Sequence, residues 1–175
     1  MSDIRLGVIG AGDITQEHLK VIAAMSGVKA AGITSRTPSK AEALANSFQI
    51  DQVYDSVAAL VRSAPDGIMV LVSANQIYDV TLALIPEGIP LFIEKPPGLV
   101  PQQTKYLAKL ADSHSTQNMI GFNRRYYSVF QKGLAVIRDH GALLGVAVEG
   151  HERFWKIVGR SIPDGVRSGC KTSTG

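Results

Sequence analysis

Cysteine is almost missing from this chain: Cys170 is the only one in 175 residues. An internal disulfide framework is therefore excluded, which fits a reducing compartment and the expectation of a cytoplasmic protein. Long apolar runs are missing too. A strongly apolar stretch such as residues 68–72 is far too short to span a bilayer, so no membrane partner is expected. The start of the chain carries an acid at Asp3 and enters a strand-like pattern by Arg5, which reads against a signal peptide. Aromatic residues are only 6% of the total. A nucleic-acid surface calls for basic residues interleaved with stacking aromatics, and Arg124-Arg125-Tyr126-Tyr127 is a faint version of that. No nucleic-acid partner is expected. No set of His, Cys, Asp and Glu has metal-ligand spacing, so no metal is expected. Repeats and low-complexity segments are absent.

What remains is a globular composition, 45% hydrophobic and 19% charged. The net charge of +3 is unevenly spread. Residues 1–122 hold nine Lys/Arg against eleven Asp/Glu, and residues 123–175 hold nine against four. The basic surplus thus sits in the last third, where it reads as a solvated surface.

Arg5-Leu6-Gly7-Val8-Ile9 is a short strand that breaks at Gly10-Ala11-Gly12. Ile14, His18, Ile22 and Met25 then recur at helical spacing. Strand, glycine turn and helix form the first half of a dinucleotide-binding unit. Gly10 allows the tight turn, and Gly12 leaves the backbone open to a phosphate. A helix opening at Asp13 or Ile14 directs N–H groups and its positive dipole end at that phosphate. The third fingerprint position, usually Gly or Ala, is Thr15, which predicts looser packing of helix on strand.

Strand and helix patterns alternate through residue 122. Strands are expected at residues 28–34, around Val53-Tyr54, and at 67–72, 90–94 and 118–122. Helices are expected from Thr37-Pro38 onward, after Asp55 or Ser56 to about Ser63, and at residues 76–85 and 101–114. This alternation predicts an α/β fold, a doubly wound parallel sheet. Residues 1–122 would form the dinucleotide-binding domain. Residues 123–175 would begin a second, incomplete α+β domain, with a helix at 129–140 and a strand at 143–151.

Two strand ends carry chemistry. At the second, Ser35 and Arg36 stand where an NAD site places an acid for the ribose 2′-hydroxyl. With Lys40 one helical turn on, they suit a 2′-phosphate instead. The expected cofactor is NADP, with NAD as the alternative. At the fifth strand end stands Glu94-Lys95-Pro96-Pro97. A lysine there can approach a nicotinamide and a substrate hydroxyl, to stabilise charge or move a proton.

Taken together, Gly10-x-Gly12 with His18, Ser35-Arg36, Glu94-Lys95-Pro96 and Gly121-Phe122-Asn123-Arg124-Arg125-Tyr126 resemble the Gfo/Idh/MocA family of NAD(P)-dependent oxidoreductases. The resemblance covers about residues 4–151. It implies a Rossmann-like first domain and hydride transfer between the nicotinamide cofactor and a sugar, inositol or related polyol. It implies that Lys95 is the catalytic lysine and that Ser73, Ala74 and Asn75 lie along the cofactor, with Glu94 beside them. Many members carry a His shortly after that asparagine, where this chain has Tyr78. The family's Asp and His on a helix of the second domain have no match here, since His151 and Asp164 do not fit their motif. The chain would then lack most of that domain, bind cofactor weakly and turn over poorly. Association into a homo-oligomer through the second-domain sheet is expected only if that domain is complete. Here an unpaired strand and Phe154-Trp155 would favour self-association or a disordered tail. The competing reading is a non-catalytic NAD(P)-binding module.

Overall fold

A computed structural model describes residues 3–142 together with Leu144, Gly145 and Ala147. His151, Asp164, Cys170 and Phe154-Trp155, and most of the expected strand at 143–151, lie outside the described residues.

Six strands form one parallel sheet: β1 (Ile4–Ile9), β2 (Val28–Thr34), β3 (Gln52–Tyr54), β4 (Gly67–Val70), β5 (Leu91–Ile93) and β6 (Asn118–Ile120). Their order is β3-β2-β1-β4-β5-β6. The chain runs outward through β2 and β3, returns to pair β4 with β1, and runs outward again. The strand order therefore reverses between β1 and β4, the place where open α/β sheets bind ligands. Helices α1 (Asp13–Ala23), α2 (Pro38–Phe48), α3 (Val57–Arg62), α4 (Ala74–Leu84) and α5 (Pro101–His114) supply the crossovers.

Alternate residues around β1 and β4 feed two cores. Val8, Met69 and Leu71 pack with Leu19, Ile22, Ala41 and Leu44 of α1 and α2. Ile9, Ile68 and Val70 pack with Ile77, Leu84, Leu107 and Ala111 of α4 and α5. This is the period-2 signature of a sheet covered on both faces.

Strands β4, β5 and β6 are shorter than their apolar runs suggest. Beyond them, single bonds continue the ladder: Leu71 N–H to Ile9 O at 2.8 Å, Glu94 N–H to Val70 O at 3.0 Å, and Gly121 N–H to Ile93 O at 2.9 Å. The chain then leaves the sheet, so the residues following each strand are free to face a ligand. Of the two caps proposed for α3, Ser56 is the one used: its Oγ accepts from Ala59 N–H at 3.2 Å. Helix α4 starts two residues earlier than expected, after Ser73.

Helix α4 also holds a local defect. Thr81 is fully buried, and its Oγ1 is the one buried side-chain polar atom without a hydrogen-bond partner among the described residues. A buried hydroxyl left unpaired carries its desolvation cost with no return. Thr81→Val keeps the shape and removes that cost. We expect it to raise the unfolding free energy by about 1 kcal/mol. The check is a higher urea midpoint at unchanged m-value; a lower midpoint would refute it.

The chain divides into two compact units, Met1–Tyr126 and Tyr127–Gly175. The second contains α6 (Ser128–His140) among its described residues. All of α6 is exposed, including Val129, Phe130, Leu134 and Ile137, and Tyr127 stacks on Phe130 with ring centroids 6.3 Å apart.

Candidate functional site

The glycine turn is built as a close approach of two backbones. Gly10 has φ of 115°, a region side-chain-bearing residues rarely enter. Its N–H donates to Thr34 O at 2.9 Å, tying the turn to the end of β2. A Cβ at Gly10 would press on the Leu71 carbonyl and lie 2.7 Å from its carbon. Gly12 is different: a Cβ there would meet nothing within 4 Å. It faces open space next to the first turn of α1, which begins at Asp13.

Thr15 corrects one expectation. It is fully buried, and its Oγ1 accepts from Gly12 N–H at 3.2 Å. Thr15 N–H in turn donates to Gly12 O at 3.0 Å. The threonine fastens the helix start to the turn and does not loosen it.

A cavity of about 480 Å3 opens beside this turn, at the carboxyl ends of β1, β2, β3 and β4. Six of the expected residues line it: Gly10, Gly12, Ser35, Arg36, Lys40 and Ser73. Ser35 is half-buried, while Arg36 and Lys40 are exposed. Neither cation is in an ion pair among the described residues. Ser35 Oγ accepts from Thr37 N–H at 3.2 Å, which fixes the loop that carries Arg36. Val57, Leu71, Val72 and Val80 give the same cavity an apolar wall.

Asp55, Ser56 and Gln76 also line the cavity, and none was singled out as a cofactor contact. Asp55 follows the last residue of β3, and its carboxylate accepts from Ser56 Oγ at 3.0 Å. The rule that ligands sit beyond strand ends applies to β3 as well and would have found it. Ser73 Oγ donates to Asn75 Oδ1 at 2.7 Å, which holds the start of α4.

The remaining expected residues do not line this cavity. Ile14 and Glu94 line a separate groove of about 330 Å3, with His18, Phe92, Phe122 and Asn123. Glu94 is buried, and Lys95 next to it is exposed. The Lys95 Nζ has no hydrogen-bond partner among the described residues. Asp13, Ala74 and Asn75 lie at the starts of α1 and α4, outside both spaces. Among the described residues, no group of three or more His, Cys, Asp and Glu could hold a metal ion. No helix among them is long and apolar enough to cross a membrane.

Comparison with known proteins gives the same fold and a family. Residues 4–122 match the model of an oxidoreductase family with an NAD-binding Rossmann fold, GFO_IDH_MocA. The rhizopine catabolism protein MocA of Rhizobium meliloti is 26% identical over 127 residues, covering 72% of this chain and 39% of that protein. Inositol 2-dehydrogenase of the same species is 24% identical over 137 residues, covering 78% of this chain and 41% of that protein. The crystal structure of GenD2 from gentamicin A biosynthesis, in complex with NAD, superposes with a TM-score of 0.75. It is 21% identical, and the match covers 82% of this chain and 41% of that one. The chain thus spans about 40% of the length of the relatives it matches.

Proposed function

This chain belongs to the GFO_IDH_MocA oxidoreductase family, whose model covers its first unit from residue 4 to residue 122, and from that premise we propose that it binds NADP for hydride transfer to and from a sugar-like polyol. The observation that carries the cofactor reading is the cavity beside Gly10 and Gly12. Its lining includes Gly12, the residue before α1, where backbone N–H groups and the helix dipole favour phosphate. The same cavity is lined by Arg36 and Lys40, neither of which has its counter-charge in an ion pair among the described residues. A 2′-phosphate supplies that counter-charge, and a ribose hydroxyl does not. Asp55 stands in the same cavity, so the two cations also screen it from a phosphate.

The polyol half of the reading comes from the family and from the inositol dehydrogenase among the relatives. The nicotinamide cofactor supplies the hydride chemistry. Lys95, at the end of β5 with an uncommitted ammonium, would stabilise the developing alkoxide or carry its proton.

The test is to compare affinities for the two cofactors. NADP should bind more tightly than NAD. Arg36→Ala should weaken NADP by about tenfold or more, the worth of one charge-assisted bond, and leave NAD within about twofold. Equal or tighter binding of NAD by the unaltered chain would sink the assignment. A second reading, cofactor binding without turnover, is favoured by one observation. Among the described residues, no second proton-transfer side chain bonds to Lys95.

A further inference from the structure

Glu94 is the only ionisable side chain buried among the described residues, at 8% exposure. Burying a carboxylate is expensive unless its oxygens are bonded, and here both are. Oε1 accepts from His18 Nε2–H at 3.1 Å. Oε2 turns back to accept from the backbone N–H of Lys95 at 2.9 Å. The His18 ring is set in turn by Phe92, edge to face at a centroid distance of 5.1 Å. Space for the carboxylate is left by Gly121, where a Cβ would lie 3.2 Å from Glu94 Oε1 and 3.2 Å from Phe92 Cζ.

Stability alone does not account for this arrangement. Well-packed apolar residues in place of a buried polar pair are often neutral or stabilising, and the neighbours on this face include Phe92, Met119 and Ile120. What an apolar pair cannot do is hold the amide of the next residue. That residue is Lys95, whose side chain has no partner to fix it among the described residues. Its backbone anchor is therefore the Glu94 carboxylate. His18 sits on α1, five residues beyond Asp13 at the helix start, about 7.5 Å along the axis. One rigid helix thus carries both the glycine turn and the donor that holds Glu94.

We infer that His18 and Glu94 are positioning residues: they tie the backbone of Lys95 to the helix that begins at the cofactor turn, so that the lysine keeps a fixed place relative to the dinucleotide. The inference rests on the proposed cofactor site for its purpose. The tie itself can be read without cofactor.

The experiment is residue-resolved amide hydrogen exchange by NMR on the full chain, with and without NADP. Three amides are compared: Lys95, bonded to the carboxylate, and Glu94 and Gly121, bonded within the sheet. In Glu94→Ala and in His18→Ala, exchange at Lys95 should speed up by about tenfold or more, while the amides of residue 94 and Gly121 keep their protection. The double variant should be no worse than Glu94→Ala, because the histidine acts through the carboxylate. Glu94→Gln should restore protection, since its carbonyl oxygen can still accept from Lys95 and its NH2 can donate to the other tautomer of His18. Glu94→Asp, one methylene short of both partners, should not. Gly121→Ala, which crowds the carboxylate without removing a bonding group, should speed exchange at Lys95 while the fold persists.

Equal loss of protection at all three amides would overturn the inference, because the pair would then be packing alone. Unchanged exchange at Lys95 in Glu94→Ala would overturn it as well. In the unaltered chain, NADP should shift the Lys95 amide resonance, and at saturating NADP Glu94→Ala should remove that response. Selective loss of protection without any NADP response in the unaltered chain would uphold the tie and count against the cofactor role of Lys95.

Discussion

Gly10→Ala should cost both the fold and the cofactor. The position has φ of 115°, and the added methyl would strike the Leu71 carbonyl group. That group is backbone, in the stretch just past β4, and Leu71 N–H is bonded to Ile9 O at 2.8 Å. Neither partner can turn aside as a side-chain tip would. The backbone strain alone is on the order of 1–3 kcal/mol, and the overlap adds to it. A total loss of about 3–5 kcal/mol places this change among the most damaging single substitutions. A domain of ordinary stability would then have little left. NADP binding should fall by about a hundredfold or more, because the turn that presents the start of α1 would be displaced. Gly12→Ala is the control. Its φ is −92°, and the new methyl would meet no protein atom within 4 Å. Unfolding free energy should drop by no more than about 1 kcal/mol, the difference between a glycine and an alanine cap. Cofactor affinity should still suffer, since the methyl enters the space a phosphate would use. Denaturant unfolding and NADP titration of both variants separate fold from site. A Gly10→Ala protein as stable as the parent would contradict the strain assigned to the turn.

The parts of this architecture that were legible in sequence are those with a local cause. Residues 28–34 form the expected strand to the residue, and α5 runs from Pro101 to His114 as its proline and periodicity imply. The order of strands follows from alternation and the handedness of crossovers, which hold for any chain of this pattern. The site was legible only in part. Gly10, Gly12, Ser35, Arg36, Lys40 and Ser73 share a cavity because they follow the ends of strands that are adjacent in the sheet. In sequence Asp55 reads only as a helix cap: its place in the cavity depends on β3 lying beside β2 in the sheet, which no stretch of sequence around it shows. Thr15 was misjudged because the fingerprint counts its extra atoms as bulk, whereas its hydroxyl accepts the Gly12 N–H. The His18–Glu94 pair joins residues 76 apart in sequence. No window along the chain contains both, and only the register of β1, β4 and β5 brings them together.

Lys95→Ala should remove turnover and leave the rest of the protein almost untouched. Lys95 is exposed and its Nζ has no partner among the described residues. Truncation therefore leaves no buried group unpaired, and unfolding free energy should change by no more than about 0.5 kcal/mol. The amide that Glu94 holds is retained in alanine. NADP affinity should stay within about threefold, because the cavity beside Gly10 does not include Lys95. Reduction of NADP by a cyclic polyol should fall by about 100- to 10,000-fold, the usual worth of a positioned proton-transfer group. A fall in kcat with little change in cofactor affinity would mean that the lysine acts in the transition state rather than in binding. Lys95→Arg then separates the two roles proposed for it. Arginine keeps the positive charge but does not release a proton near neutral pH. If Lys95 only stabilises an alkoxide, arginine should recover part of the rate. If it carries the proton, Lys95→Arg should be as slow as Lys95→Ala. Turnover by Lys95→Ala equal to that of the parent would remove Lys95 from the chemistry. Collapse of NADP affinity in Lys95→Ala would make it a cofactor-holding group instead. A parent chain that binds NADP tightly yet reduces none of it with any polyol would decide for the binding-module reading.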